Sequence, residues 1–242
     1  MISIITATYN VEQTISSCLG SLRQQTVPFE HIIIDGLSSD STLDAVKEQS
    51  QDSRIISEKD NGLYDALNKG IQTAAGDIVG ILHADDFYAS TDTLQLVAEV
   101  FQDPDVDACY GDLLYVVERC DTRSPRCENS KASTQNSDFR VVRYWRSGQY
   151  DPRHFYWGWM PPHPTFFVHK SVYEKYGLFN LELGTAADYE LMLRFLVKNQ
   201  VFFHDMMELL DPFQYQFNVF KAKGFYQKIG CTVVHGVYDD IH

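Results

Sequence analysis

The sequence predicts an α/β domain with a mainly parallel central sheet flanked by helices, followed by a less regular second half. Two observations carry this. Short apolar runs of strand length alternate with stretches whose apolar residues recur at i, i+3, i+4 and i+7, the pattern of right-handed βαβ crossovers. The run Val79-Gly80-Ile81-Leu82 has no polar side chain, as in a parallel strand buried on both faces, and it ends in His83-Ala84-Asp85-Asp86. At 242 residues the chain suffices for one large domain of this class, or one with an appended lobe.

Each element follows from its residues. Ile2 to Thr8 reads as the first strand, and Ile15, Cys18, Leu19 and Leu22 mark a helix lying on the sheet. His31 to Asp35 is a second strand. The Ser38–Thr42 cluster supplies helix-start residues ahead of Leu43 and Val46. Arg54 to Ser57 is a weaker third strand, and Leu63, Leu67 and Ile71 mark a helix that Gly76 would close. Ile78 to Leu82 is the fourth strand. Leu94, Val97, Ala98 and Phe101 give a helix that stops before Pro104, and Val106 to Tyr110 is a fifth strand ending at Gly111-Asp112.

The second half reads differently. Residues 119 to 138 are polar with few apolar anchors, which predicts a long loop. Trp145, Trp157 and Trp159 follow among Tyr144, Tyr150, Phe155 and Tyr156. Pro161-Pro162-His163-Pro164 then precedes a short strand at Thr165 to Val168. Tyr189, Met192, Leu193 and Leu196 mark a last helix, and the segment after Leu210 is rich in aromatic residues.

Composition excludes several classes. A net charge of −13 argues against nucleic-acid binding, although residues 119–153 carry eight bases against four acids, +4, and the remainder is −17. That basic window reads as a solvated loop or as a surface facing an anionic ligand or lipid. No apolar run approaches the roughly 18 residues of a membrane span. The first residues enter a strand directly, without the flank of a secretory signal. Cys18, Cys109, Cys120, Cys127 and Cys231 are odd in number with no CxxC pair, which predicts reduced thiols and a cytoplasmic setting.

Acids mark the ends of several elements. Asp35 ends the second strand and Asp40 follows in a Ser-rich turn. Asp60 precedes the third helix, Asp85 and Asp86 end the fourth strand, and Asp188 opens the last helix. In a parallel sheet such strand ends lie on one edge, so Asp35, Asp60 and Asp85 should converge on one cleft. Adjacent acids at a strand end suit a hard divalent cation holding phosphate oxygens, or they simply open the next loop. Asp188 has a plain reading too, as a helix cap or a first-turn acid favoured by the helix dipole.

Four ordered motifs make the chain resemble glycosyltransferase family 2, nucleotide-sugar-dependent enzymes with a Rossmann-like GT-A fold. They are Ile4-Ile5-Thr6-Ala7-Thr8-Tyr9-Asn10, the segment from Ile33 to Thr42, Asp60-Asn61-Gly62-Leu63-Tyr64-Asp65-Ala66-Leu67-Asn68-Lys69-Gly70, and the Asp85-Asp86 segment. His163-Pro164-Thr165-Phe166-Phe167 and Ala186-Ala187-Asp188-Tyr189 match more loosely. The resemblance implies a GT-A domain over 1–210, with a nucleotide-sugar-binding half at 1–112 and an acceptor-side half at 113–210, then an aromatic tail at 211–242. It places Thr6, Tyr9, Asp35, Asp60, His83, Ala84 and Asp85 on the donor nucleotide, with a UDP-sugar favoured. Asp85 falls on the last acid of the family's Asp-x-Asp metal signature, with Asp86 beside it, and this implies Mn²⁺ or Mg²⁺. Asp188 matches the base that takes a proton from the acceptor hydroxyl in an inverting displacement. Position 83 departs from the pattern: the family often has Asp or Asn where this chain has His.

The expected chemistry is coherent. A cation offsets charge on the leaving diphosphate, the sugar ring becomes oxocarbenium-like, and a carboxylate activates the incoming hydroxyl. His163 and Trp157 are weaker candidates for the acceptor or diphosphate site. The acceptor would be a glycan or a lipid-linked acceptor in polysaccharide or glycan assembly, with peripheral contact at the cytoplasmic face of a membrane. Two alternatives remain open: a catalytically silent nucleotide-sugar-binding module, and a nucleotidyltransferase-like enzyme. The latter lacks the Gly-rich, Lys-containing phosphate loop.

Overall fold

The strands with continuous apolar runs form the middle of the molecule. The computed structural model describes residues 1–118, 139–201, 203–205 and 232–235. Its strands are β1 (Ile2–Thr8), β2 (Phe29–Asp35), β3 (Arg54–Ser57), β4 (Ile78–Ile81), β5 (Asp86–Tyr88), β6 (Ala108–Tyr110), β7 (Leu113–Glu118), β8 (Phe139–Trp145), β9 (Phe167–His169), β10 (Phe203–Asp205) and β11 (Thr232–His235). The central sheet runs β10-β6-β9-β4-β1-β2-β3. β1 pairs in parallel with β2 and β4, β2 with β3, and β6 with β10, so the mainly parallel sheet expected from the sequence is present. β9 is the exception: it lies antiparallel between β4 and β6. In register, Thr8 stands beside Asp35 and Asp35 beside Ser57, which aligns the carboxyl ends of the first three strands.

A second sheet, β5-β11-β7-β8, escaped the sequence reading. Strand β5 is short and β8 carries exposed positions, so they lack the apolar run that revealed β1, β2 and β4; β7 does carry one, Leu113 to Val117, and was missed. β11 inserts part of the expected tail between β5 and β7. The rest of 211–242, the loop 119–138, and Cys120, Cys127 and Cys231 lie outside the described residues. Cys18 and Cys109 are free and buried.

Helices cover both faces because strand side chains alternate. Ile2, Ile4 and Ile33 pack with Leu19 and Val46 of α1 (Ile15–Arg23) and α2 (Thr42–Gln49). Ile5, Ile34 and Ile81 face Leu67 and Ile71 of α3 (Leu63–Thr73). A Cβ at Gly70 would lie 2.4 Å from Ile5 Cγ2, so glycine lets α3 approach β1 closely. α3 ends at Thr73, and Gly76 does not cap it. Gly76 instead passes against the chain start, where a Cβ would meet Met1 O at 2.6 Å. α4 (Thr93–Val100) completes the first face.

α5 (Lys170–Tyr176), not anticipated, and α6 (Ala187–Met192) complete the second. α6 opens into a π turn at Leu193–Lys198, which widens the repeat. The buried stripe is therefore Ala187, Leu191, Met192, Phe195 and Leu196, and Leu193 is 37% exposed.

One buried group ties stability to pH. His31 lies between two hydroxyls, its Nε2 3.1 Å from Thr6 Oγ1 and its Nδ1 2.7 Å from Ser53 Oγ. Burial pushes its imidazole down to about 4 from 6.5. Between those values the unfolded chain takes up a proton that the folded one refuses, so stability falls as pH drops from about 6.5 to about 4. The loss attributable to His31 is about 3 kcal/mol at most. Urea unfolding of His31→Gln at pH 7 and pH 4.5 should show a shallower loss than the wild type; an equal loss would contradict the assignment.

Candidate active site

The carboxyl ends of β1 and β4 open onto a cleft of about 610 Å³ lined by Ala7, the 10–14 segment, Asp40, Leu63, His83, Ala84 and Asp85. Two laced loops form one wall. Asn10 Oδ1 accepts the Ser39 N–H at 2.8 Å, Thr42 Oγ1 accepts the Val11 N–H at 2.8 Å, and Asp40 Oδ2 accepts the Glu12 N–H at 3.1 Å. Asn10 tolerates its φ of 53° in the left-handed region.

Strand parity decides which expected residues reach this space. Thr6 does not: it is fully buried on the α1 side, engaged with His31, and its neighbour Ala7 lines the cleft. Asp35 shares that parity and is also fully buried. Its oxygens accept from Thr8 Oγ1 at 3.1 Å, Ser38 N at 3.1 Å, Ser38 Oγ at 2.5 Å and Ser57 Oγ at 2.7 Å. Asp35 therefore shapes the base of the loop and offers no free oxygen to a nucleobase.

Tyr9 is 65% exposed, and Asp60 is half-buried. Both crowd Gly36, where a Cβ would lie 2.5 Å from Asp60 Oδ2 and 3.4 Å from Tyr9 Cδ2. These two donor-side candidates thus meet next to the loop that Asp35 organises.

Asp85 and Asp86 part company. Asp85 is exposed on the cleft. Asp86 is 1% exposed and points into the core beside Cys18 and Tyr88, whose acid groups its charge helps to raise, after burial as the larger cause. The Asp86 N–H donates to His83 O at 3.0 Å, closing a turn that presents Asp85. As a metal ligand Asp86 is corrected: it faces the wrong side of the sheet.

Asp188 comes from the other half of the chain. It sits in the first turn of α6, where Ala186 is the cap residue, and its Oδ1 accepts the Tyr189 N–H at 2.7 Å within that turn. The cap reading of Asp188 is thereby overturned, and the first-turn position stands. Its charge acts on two groups of the first half. Burial lowers the His83 imidazole below its usual range against the pull of Asp85 and Asp188. Burial, then Asp188, raises the phenol of Tyr64. The fold therefore brings Asp188, His83, Asp85 and Tyr64 together. Tyr64 was missed as a site residue, because on α3 it sits one turn of chain from the quoted motif's acid and reads as core.

His163 adjoins the group, its ring centroid 5.7 Å from that of His83 and 5.5 Å from that of Phe179. Burial, with His83 adding to it, pushes His163 down to about 3, so its imidazole is neutral. A neutral ring offers no charge to a diphosphate. Trp157 is 87% exposed at the end of a 3₁₀ turn, Pro152–Trp157, and does not line the cleft.

The donor set suits a shared cation better than a protein-enclosed one. Among the described residues no group of three His, Cys, Asp or Glu side chains could hold a metal. Three carboxylates line the cleft: Glu12 and Asp40 accept backbone N–H groups of the laced loops, and Asp85 stands exposed at the strand end beside the His83 imidazole. Cations of the Mg²⁺ type are commonly held by one or two protein groups plus substrate phosphates, and imidazole suits transition metals such as Mn²⁺ less than carboxylate does. Asp85 fits that arrangement, with His83 beside it on the cleft.

The family model described as "Glycosyl transferase family 2" matches residues 3–177. The chain belongs to this family. The "PGL/p-HBAD biosynthesis glycosyltransferase" of Mycobacterium bovis (strain BCG / Pasteur 1173P2) is 29% identical over 200 residues, covering 80% of this chain and 69% of that protein. A "Putative glycosyltransferase EpsH" of Bacillus subtilis (strain 168) is 32% identical over 112 residues, 45% of this chain and 33% of that protein. Among solved structures, S. aureus TarS 1–349 in complex with UDP matches with TM-score 0.56 and 21% identity over 79% of this chain and 53% of that one. The mannosyltransferase PcManGT from Pyrobaculum calidifontis, in complex with GDP-Man and Mn²⁺, matches with TM-score 0.53 and 22% identity over 78% of this chain and 50% of that one. The chain spans about half the length of these two solved proteins. Their likeness bears out the GT-A fold expected from the family 2 motifs.

Proposed function

We propose that this family 2 chain is an inverting glycosyltransferase that moves a sugar from a nucleoside-diphosphate sugar, a UDP-sugar by preference, to a hydroxyl acceptor in glycan assembly. The observation that carries the reading is a ring series joining the two halves, Tyr64–Phe179–His163–His83 with centroids 5.2, 5.5 and 5.7 Å apart, on whose two ends, Tyr64 and His83, the charge of Asp188 acts. The donor class is supported by the UDP and GDP-Man complexes of proteins with this fold. The acceptor we assign is a glycan or a lipid-linked molecule at the cytoplasmic face of a membrane; the mycobacterial relative is named for PGL/p-HBAD biosynthesis. Among the described residues no helix is long and apolar enough to cross a membrane, so such contact would be peripheral.

In this reading Asp188 takes the acceptor hydroxyl proton as the oxygen attacks the anomeric carbon, and the bond to the diphosphate breaks with its electrons leaving on phosphate oxygen. Asp85 and His83 hold the diphosphate end, and a divalent cation bound there supplies positive charge to the leaving group. Tyr9 and Asp60 attend the nucleoside. His163, neutral and buried, supports the ring of His83.

A panel of UDP-, GDP- and TDP-sugars with Mn²⁺ or Mg²⁺ tests the reading through release of nucleoside diphosphate. Release from UDP-sugars above the other donors is the expected result. Donor binding with no release from any of them would favour the silent binding module.

A further inference from the structure

We infer that the His163 imidazole is a contact for a hydroxyl of the donor sugar, on the span between the diphosphate end of the cleft and Asp188. The inference rests on the proposed transferase reading and names a residue that distinguishes a nucleotide sugar from the bare nucleotide.

It starts from a buried polar atom with no partner. His163 is 8% exposed, and its Nε2 is covered yet makes no hydrogen bond. An unpaired buried nitrogen costs stability, so a fold that keeps one does so for a purpose, commonly a ligand or an ordered water. The local backbone does not need the imidazole. The Thr165 N–H donates to Pro162 O at 2.9 Å and the Phe166 N–H to His163 O at 3.1 Å, which closes the turn His163–Thr165 through main-chain groups alone.

The position of the ring selects the ligand. On one side its centroid lies 5.7 Å from that of His83, which lines the cleft. On the other it lies 5.5 Å from Phe179, whose ring is 5.2 Å from that of Tyr64. The charge of Asp188 reaches both His83 and Tyr64. In the proposed reaction the transferred sugar spans from a diphosphate beside His83 to a hydroxyl activated by Asp188, and His163 stands along that span. Its chemistry agrees with the place. A neutral imidazole carries one donor and one acceptor nitrogen, the complement of a hydroxyl, whereas a phosphate oxygen only accepts. The ring of His83, its neighbour on the cleft side, is held by no hydrogen bond to a described residue, so donor entry can shift it and open a path to Nε2.

The test titrates the full chain, with Mn²⁺ present, with UDP-glucose, UDP-N-acetylglucosamine, GDP-mannose and TDP-glucose, each against its bare nucleoside diphosphate. For the nucleotide sugar that the wild type binds best, His163→Leu should weaken affinity about tenfold, the scale of one lost hydrogen bond away from water. Affinity for the matching bare nucleotide should stay within about twofold, because that ligand carries no sugar. His163→Gln, close to Leu in size but able to donate and accept, should keep most of the affinity. His163→Phe repeats the apolar arm with a ring in place, and circular dichroism checks that each variant folds. Equal weakening of nucleotide sugar and bare nucleotide would overturn the inference and leave His163 as support for His83. Unchanged binding of both in the Leu and Phe variants would overturn it too, leaving Nε2 with an ordered water only. Failure of the wild type to bind any nucleotide sugar would instead sink the transferase reading and the sugar contact with it, so the two failures read differently.

Discussion

Asp188→Asn is expected to lower sugar transfer by roughly 10²-fold or more while donor affinity stays within a few-fold, the scale of losing one acid–base group. The substitution keeps size and polarity and removes the proton acceptor. Asp188 is not the cap of α6, since Ala186 holds that place, and Asn keeps an Oδ1 to accept the Tyr189 N–H as Asp188 does. What a first-turn acid contributes through the helix dipole is about 0.3–1 kcal/mol, and Asn would lose that in stability alone. Measuring transfer rate and donor affinity on the same preparation separates the two roles. Transfer retained within a few-fold would leave Asp188 as a dipole-favoured acid and remove the base from the mechanism.

Asp85→Ala should abolish the metal-dependent part of donor binding, weakening affinity by roughly 10- to 100-fold, as loss of a charge-assisted contact of about 1.5–3 kcal/mol does. Its exposed position predicts an unchanged melting temperature. Asp86→Ala makes the instructive contrast. Asp86 is 1% exposed and engaged in the core, so its loss should lower the melting temperature. Calorimetry with and without Mn²⁺ checks both. Metal-dependent binding that survives in the Asp85 variant and disappears in a still-folded Asp86 variant would exchange the two assignments.

Sequence pattern revealed the elements whose two faces are both buried. The runs at Ile2–Thr8 and Ile78–Ile81 need no context, because apolar residues on both faces leave one interpretation. β5 and β8 stayed hidden because they gain their places by pairing, β8 with β7 and β5 with β11, a chain segment over a hundred residues from β5. The candidate site was legible to the level of the strand end and no finer. Thr6 against Ala7 and Asp86 against Asp85 differ by one position, and one position reverses the face a side chain presents. Asp35 looked like a ligand contact because a strand-end acid usually faces solvent. Here Thr8, Ser38 and Ser57, brought together only by the register of three strands, satisfy it. The partnership of Asp188 with Tyr64 and His83 joins positions more than a hundred residues apart, which only the tertiary fold could show.

Diffraction from crystals grown with UDP and Mn²⁺, collected for anomalous signal from the metal, tests most directly whether donor and base share one cleft. A manganese peak at the Asp85 carboxylate, with the UDP diphosphate beside His83 and its outer phosphate facing Asp188, is the expected result. Nucleotide bound away from the Asp85 strand end, or a metal peak that Asp85 does not touch, would contradict it.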